Sequence, residues 1–279
     1  MHLEVESSQG EAMWVELAFL GTKVVSIRAF LKPPPPTEAQ PLLLKTALEE
    51  VRMHATETED SIVCTSGEVD CIISKPTWSL KLRSKDGTVF FDEYLDGLLR
   101  DYFPVYPLGC KVVNGERHFL ESITLRPDEA IYGFGETFGP LQKRGQNIFV
   151  WTCDTTHTSG VRSYKAFPFY MSTRGYGLLV NTSYKTVFEV GSEYCYNALS
   201  LEAYDNKLEY IVFYGPSFKE ILEAYTEMTG RSPMPPLWSF GLWMSRITYL
   251  SEEQVRTVAS KLRQNRIPDD VIHIDTGWF

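Results

Sequence analysis

No apolar run in the sequence approaches the ~20 residues that a membrane-spanning helix needs, so no membrane span is expected. Basic charge is also short: 27 Lys and Arg against 36 Asp and Glu leave a net charge of −9. That argues against nucleic acid as a partner, since its phosphates need a basic surface. Cysteine is scarce, with Cys64, Cys71, Cys110, Cys153 and Cys195 scattered and no CxxC pair, and the 5 histidines add no metal-ligand spacing. That argues against a zinc site or a disulfide framework and fits a reducing compartment. GxSxG and HExxH are absent, which removes the serine-hydrolase elbow and the zinc-protease helix. The opening residues, MHLEVESSQGE, are acidic and polar rather than a secretory signal, so the expected location is cytoplasmic.

What is present is an ordinary globular composition, 43% hydrophobic and 23% charged over 279 residues, enough for one large domain or two smaller ones. Aromatics reach 13%, a share that sugar-binding surfaces and β-sandwich cores have in common.

Up to about residue 213 the pattern is strand after short strand. WVELAFL and KVVSIRAFL flank Gly21-Thr22, and SIVCTSG, VDCIISK, TWSLKLRS and GTVFFDEY alternate apolar with polar between turn residues. Further strands are read at His118–Leu125, Tyr164–Met171, Gly175–Asn181, Thr186–Val190, Leu199–Ala203 and Leu208–Phe213, and Gln146–Gly160 reads as a strand running into a polar loop. Even spacing of short strands predicts a β-sandwich. The four prolines at 33–36 read as an extended surface connection. IYGFGETFG (131–139) fails as a phosphate loop, because the third glycine is misplaced and no capped helix follows. Glycines between aromatics predict a bend or a close backbone approach instead.

The pattern then changes. Ser217-Phe-Lys-Glu220 and Ser251-Glu-Glu-Gln254 each read as a capping box opening a helix, and Pro-rich 231–236 separates them. Val255, Val258, Ala259 and Leu262 give the second helix an apolar face. Apolar segments on either side, Leu237–Met244 and Val271–Ile274, read as strands, and a strand–helix–strand unit requires a parallel sheet.

Two acids stand where chemistry is done. Asp275 ends the second of these strands, the place where parallel α/β sheets carry functional side chains, although Asp-x-Gly is also a common turn. Asp154 opens the polar loop after QNIFVW; from the residues alone it is an exposed turn acid. Asp269 and Asp270 fall at the other end of their strand and read as solvated, while His273 reads as an interior histidine. His157 is uncommitted, and Cys153 has no cationic neighbour in sequence to activate it.

IYGFGETFGPLQKRGQ, VWTCDTT, AFPFYMSTRGYGLLVN, FEVGS, GRSPMPPLWSFGLWMS and HIDTGWF resemble, in this order, glycoside hydrolase family 31, its α-xylosidases first and its α-glucosidases next. The resemblance is specific from Tyr132 to Phe279. It implies a mainly β chain: a galactose-mutarotase-like β-sandwich with a connecting helix (1–232), then the first β-α-β unit of a (β/α)8 barrel (233–279). It further implies hydrolysis of α-glycosides with retention, a carbohydrate substrate, no cofactor or metal, and a parent enzyme compatible with homo-oligomers. Asp275 resembles an aspartate that binds sugar hydroxyls in the first subsite, and Asp154 one that reaches over the barrel mouth from a sandwich loop. Thr276, a third substrate-binding candidate, and Gly277 stand where α-xylosidases carry a cysteine and an aromatic. The family's nucleophile and acid/base belong to later barrel strands, so no residue here takes either role. The expectation is an N-terminal fragment, inactive alone, whose Leu242, Met244, Val258 and Ile272 lie open to aggregation or a partner. The alternative is a non-catalytic carbohydrate-binding or interaction sandwich.

Overall fold

The computed structural model describes residues 1–6, 12–33, 42–43, 45, 47–49, 51–95, 105, 107–154, 162–192 and 195–278. Most of the proline run and His157 lie outside these residues. The chain forms two compact units, Met1–Gly230 and Arg231–Phe279.

The first unit is antiparallel β-structure. Its strands are β1 (His2–Glu6), β2 (Ala12–Gly21), β3 (Val24–Phe30), β4 (His54–Glu57), β5 (Ser61–Thr65), β6 (Val69–Ser74), β7 (Ser79–Ser84) and β8 (Val89–Asp92). They are followed by β9 (Leu108–Val113), β10 (Glu116–Thr124), β11 (Ile131–Glu136), β12 (Gln146–Val150), β13 (Lys165–Ser172), β14 (Tyr176–Val180), β15 (Thr186–Ser192), β16 (Cys195–Ala203) and β17 (Lys207–Tyr214). A seven-stranded sheet has the order β1-β2-β3-β17-β14-β13-β11, and a five-stranded sheet the order β12-β15-β16-β10-β9. A second five-stranded sheet, β4 to β8, is a plain meander. The sandwich read from the sequence therefore carries an extra sheet, and β1, β4, β9 and β11 had not been read as strands. β4 and β9 have no fully buried residue, so neither presents an apolar alternation.

Alternation explains the rest. In β2, Met13, Val15 and Leu17 are buried and their neighbours are not; in β6, Val69, Cys71 and Ile73 do the same. One core cluster takes Val15 and Ile27 from the seven-stranded sheet, Leu80 and Phe91 from the meander, and Phe119 and Phe188 from the remaining sheet. β14 is buried along its whole length because helix α1 (Phe218–Thr229) covers its outer side, with Ile221 and Met228 packed on Phe169, Leu179, Ile211 and Phe213. Ser217 caps this helix, its Oγ accepting from Glu220 N at 3.4 Å.

The glycine-rich IYGFGE segment is a bend within β11. Its register against β13 shifts between Gly133 and Gly135, and Phe134 between them has a positive φ of 69°. The shift drives the Phe134 ring into the core, 4.8 Å from Phe188 and 5.4 Å from Tyr170 between centroids. Gly135 has φ 80°, and a Cβ there would lie 2.0 Å from the Lys165 carbonyl oxygen.

The second unit holds β18 (Trp243–Arg246), α2 (Glu252–Gln264) and β19 (Val271–Ile274). β18 and β19 pair in parallel, Trp243 opposite Val271 through Arg246 opposite Ile274. The first strand starts later than the apolar run implied. Leu237–Phe240 is a 3₁₀ turn, because Ser239 N bonds back to the Pro236 carbonyl and Gly241 N to that of Trp238. Ser251 caps α2 through Gln254 N, while the Gln254 amide oxygen reaches Leu250 N at 3.0 Å. Leu242 is exposed as expected, but Met244, Val258 and Ile272 are half-buried. The most exposed apolar side chains are instead Met234, Leu237, Phe240, Ile247 and Leu250.

Gly135→Ala is expected to destabilise the first unit by roughly 3 kcal/mol, through both positive φ and backbone collision. The urea midpoint should fall with its slope unchanged; an unmoved midpoint would show that the bulge relaxes freely.

Candidate functional site

In the first unit the candidate acid sits on a tied loop neck. β12 runs out at Trp151, whose indole is 53% exposed. Thr152 forms a parallel bridge to Ser163, and Cys153 N bonds to the Ser163 carbonyl at 3.0 Å. Ser163 is buried; its Oγ donates to the Glu136 carbonyl and accepts from Lys165 N at 3.0 Å. Lys165 and Glu136 add an exposed ion pair at 3.2 Å. The neck thus joins the end of β12 to the start of β13. Asp154 emerges from it exposed, and its Oδ1 accepts a hydrogen bond from the Tyr164 hydroxyl at 2.6 Å. A carboxylate has about four acceptor sites, so Asp154 keeps capacity for further donors while the phenol fixes its direction.

In the second unit Asp275 directly follows β19, at the carboxyl end of the parallel pair. It is half-buried, its Oδ1 accepts from Thr276 N at 2.7 Å, and Thr276 itself is exposed. The turn is tied to the chain after β18 by Gly277 N bonding the Ile247 carbonyl at 3.0 Å. A Cβ on Gly277 would stand 2.5 Å from Thr248 Oγ1 and 3.0 Å from the Ile247 carbonyl oxygen, so a side chain there would need the Thr248 hydroxyl to move. On the two strands, Ser245 Oγ lies 2.9 Å from His273 Nδ1, and the His273 ring is 6.4 Å from that of Trp243.

Two expectations change here. His273 is exposed rather than interior, since its neighbour across the pair is Ser245 and not an apolar side chain. Asp269 is buried rather than solvated: the carbonyl of the same residue accepts from Arg263 Nη2 of α2 at 3.1 Å, which draws it under the helix. Asp270 is exposed as expected.

Asp154 belongs to one unit and Asp275 with Thr276 to the other. Tyr164 escaped sequence reading because ten positions separate it from the acid it holds; its only signal was an aromatic at the foot of a strand. Buried Glu93, Glu121 and Glu129 were missed as well. Their signal, an acid inside an apolar run, was visible in HFLESITL. Among the described residues no group of three or more His, Cys, Asp or Glu side chains is arranged to hold a metal ion, and no helix is long and apolar enough to cross a membrane.

The family model for the glycosyl hydrolase 31 N-terminal galactose mutarotase-like domain matches residues 15–189, and that for the glycosyl hydrolases family 31 TIM-barrel domain matches 232–279. The chain is similar to alpha-xylosidase XylQ of Lactiplantibacillus pentosus, 41% identical over 58% of this chain and 21% of the relative. It is similar to alpha-glucosidase 2 of Bacillus thermoamyloliquefaciens, 30% identical over 83% of this chain and 28% of the relative. Among solved structures, the GH31 dextranase of Flavobacterium johnsoniae complexed with isomaltotriose is similar with a TM-score of 0.83 and 26% identity, over all of this chain and 34% of the dextranase. The chain therefore spans about a fifth to a third of the length of these relatives.

Because Asp154 and Tyr164 are both exposed, Asp154→Asn and Tyr164→Phe should each change stability by no more than ~0.5 kcal/mol. Thermal unfolding measures this. A loss of several degrees in either variant would make the pair part of the scaffold rather than a binding feature.

Proposed function

The chain belongs to glycosyl hydrolase family 31, and from that membership we propose that it is the N-terminal portion of a retaining α-glycoside hydrolase of the α-xylosidase or α-glucosidase type. The observation that carries the proposal is the order of the two matched domains together with Asp275 at the carboxyl end of a parallel barrel strand. In this reading Asp275 accepts hydrogen bonds from sugar hydroxyls of the first subsite with Thr276 beside it, and Asp154 is a substrate-binding acid on its own sandwich loop. The similarity to XylQ favours α-xylosides; the Thr276-Gly277 pair departs from the α-xylosidase pattern.

Retention needs two carboxyl groups about 5–5.5 Å apart flanking the scissile bond, one as nucleophile and one as acid/base. Neither role falls on a residue of this chain. Glu93 and Glu121 are acids of the first unit, but they are buried, 2% and 0% exposed, and so are not placed to flank a glycosidic bond. Residues 1–279 alone are therefore expected to leave α-xylosides and α-glucosides intact. A second reading, a non-catalytic sugar-binding module, draws on the exposed Trp151, Tyr164 and Asp154 of a self-contained first unit.

The test joins this chain to the remaining barrel strands and assays an aryl α-xyloside and an aryl α-glucoside. Asp154→Ala and Asp275→Ala should each lower kcat/KM by roughly 10- to 100-fold, the loss expected for a hydrogen bond to a charged acceptor. Full activity in both variants would remove these acids from the substrate site. Sugar binding by residues 1–279 that Asp154→Ala abolishes, with no hydrolysis by the joined protein, would favour the module.

A further inference from the structure

We infer that Glu93 and Glu121 are a proton-sharing acid pair that joins the three sheets of the first unit, so that cohesion of the sandwich depends on a proton held in its core.

The geometry places the pair where the sheets converge. Glu93 follows β8, and its residue bridges Ile123 of β10. Its Oε2 accepts from Leu80 N of β7 at 2.7 Å and its Oε1 from Trp78 Nε1 at 3.1 Å. Glu121 lies on β10; its Oε1 accepts from Ser122 N at 2.8 Å and its Oε2 from the Tyr210 hydroxyl of β17 at 3.1 Å. Glu93 stands opposite Ile123, and Glu121 lies two residues from Ile123 on the same face of β10, a diagonal across which two long side chains reach each other. One continuous polar joint therefore reaches from the β4–β8 meander through β10 to the seven-stranded sheet.

Every donor at this joint is electrically neutral. Among the described residues no Lys, Arg or His forms an ion pair with either glutamate. Arg83 on β7 is engaged by Asp70 at 2.7 Å, Arg126 after β10 faces Asp92 at 3.9 Å, and Lys81 is exposed. The other titratable groups that bear on the pair are Cys71 on β6, with Cys64 behind it on β5, Tyr210 on β17, and Tyr170 on β13, which adjoins Tyr176 and Glu129. All of these are neutral or anionic. Two adjacent carboxylates cannot both ionise without water or a cation to stabilise them, and one of them must keep its proton.

Protonation follows the same logic. Burial pushes the Glu93 carboxyl up to about 8, against hydrogen bonds from Trp78 and Leu80 that favour the ion. Burial raises Glu121 as well, and the neighbouring Glu93 charge adds to it. In the unfolded chain both ionise near the ordinary glutamate value of about 4.3. The folded state therefore holds more protons than the unfolded state between these limits, so its stability falls as pH rises through that window. The contribution is fully present below the unfolded value and is lost once pH passes about 8 for Glu93.

The test is urea unfolding of the 279-residue chain at fixed pH values from 5 to 9, read by far-ultraviolet circular dichroism. Each extra proton held by the folded state raises the unfolding equilibrium constant about tenfold per pH unit. Glu121→Gln, which keeps the shape and removes one titrating group, should flatten the pH dependence by up to that factor per unit relative to the wild type. Glu93→Gln is the parallel variant. An unaltered pH dependence in both overturns the inference. Should neither variant fold, infrared spectroscopy of the wild type decides: a protonated carboxyl band at pH 7 that disappears at alkaline pH supports the pair, and its absence at pH 7 overturns it.

Discussion

Phe91 at the end of the meander packs edge-on against Tyr176 of β14, 5.5 Å between centroids, and tilted against Tyr210 of β17 at 6.2 Å. Through these rings the β4–β8 sheet closes on the seven-stranded sheet, while Phe119 and Ile123 of β10 bring the remaining sheet into the same cluster. Rings of this size contribute much of the area removed from water. They also fix what else can be accommodated: any polar group in the cluster must find its partner inside it. Glu121 meets that condition with Tyr210, and Glu129 with Ser172 and Tyr176. The acids in the core therefore depend on the aromatic packing that excludes water from them.

The loop that carries Asp154 is an outgrowth of this scaffold. Its neck is held at Ser163, a buried residue joining β13 to the Glu136 end of β11. β11 is in turn anchored by Phe134, turned inward at the GFG bend. Rigid elements fix the base of this loop, and they are two strands of one sheet.

Much of this was legible in the sequence because it is local. Capping boxes at Ser217 and Ser251 involve residues three or four apart, alternation in β2 and β6 is a property of single strands, and the GFG bend follows from glycine chemistry. The parallel pairing of β18 with β19 followed from one intervening helix. What was not legible depends on partners distant in the chain. Nothing in the Leu237–Met244 run separates a 3₁₀ turn from a strand except backbone bonds that form only once the prolines have set the chain direction. His273 is exposed because Ser245, 28 positions earlier, is what it faces. The Glu93–Glu121 joint draws on β7, β8, β10 and β17, so no window of sequence contains it. Of the site, Asp154 and Asp275 could be named through family resemblance, whereas Tyr164 required the fold.

If the chain serves as the N-terminal part of an α-glycoside hydrolase, its tryptic peptides in a size-fractionated lysate of the source cells will run with α-xylosidase or α-glucosidase activity, well above the 31.9 kDa of these 279 residues. Peptides confined to 31.9 kDa, in fractions without that activity, would contradict the assignment.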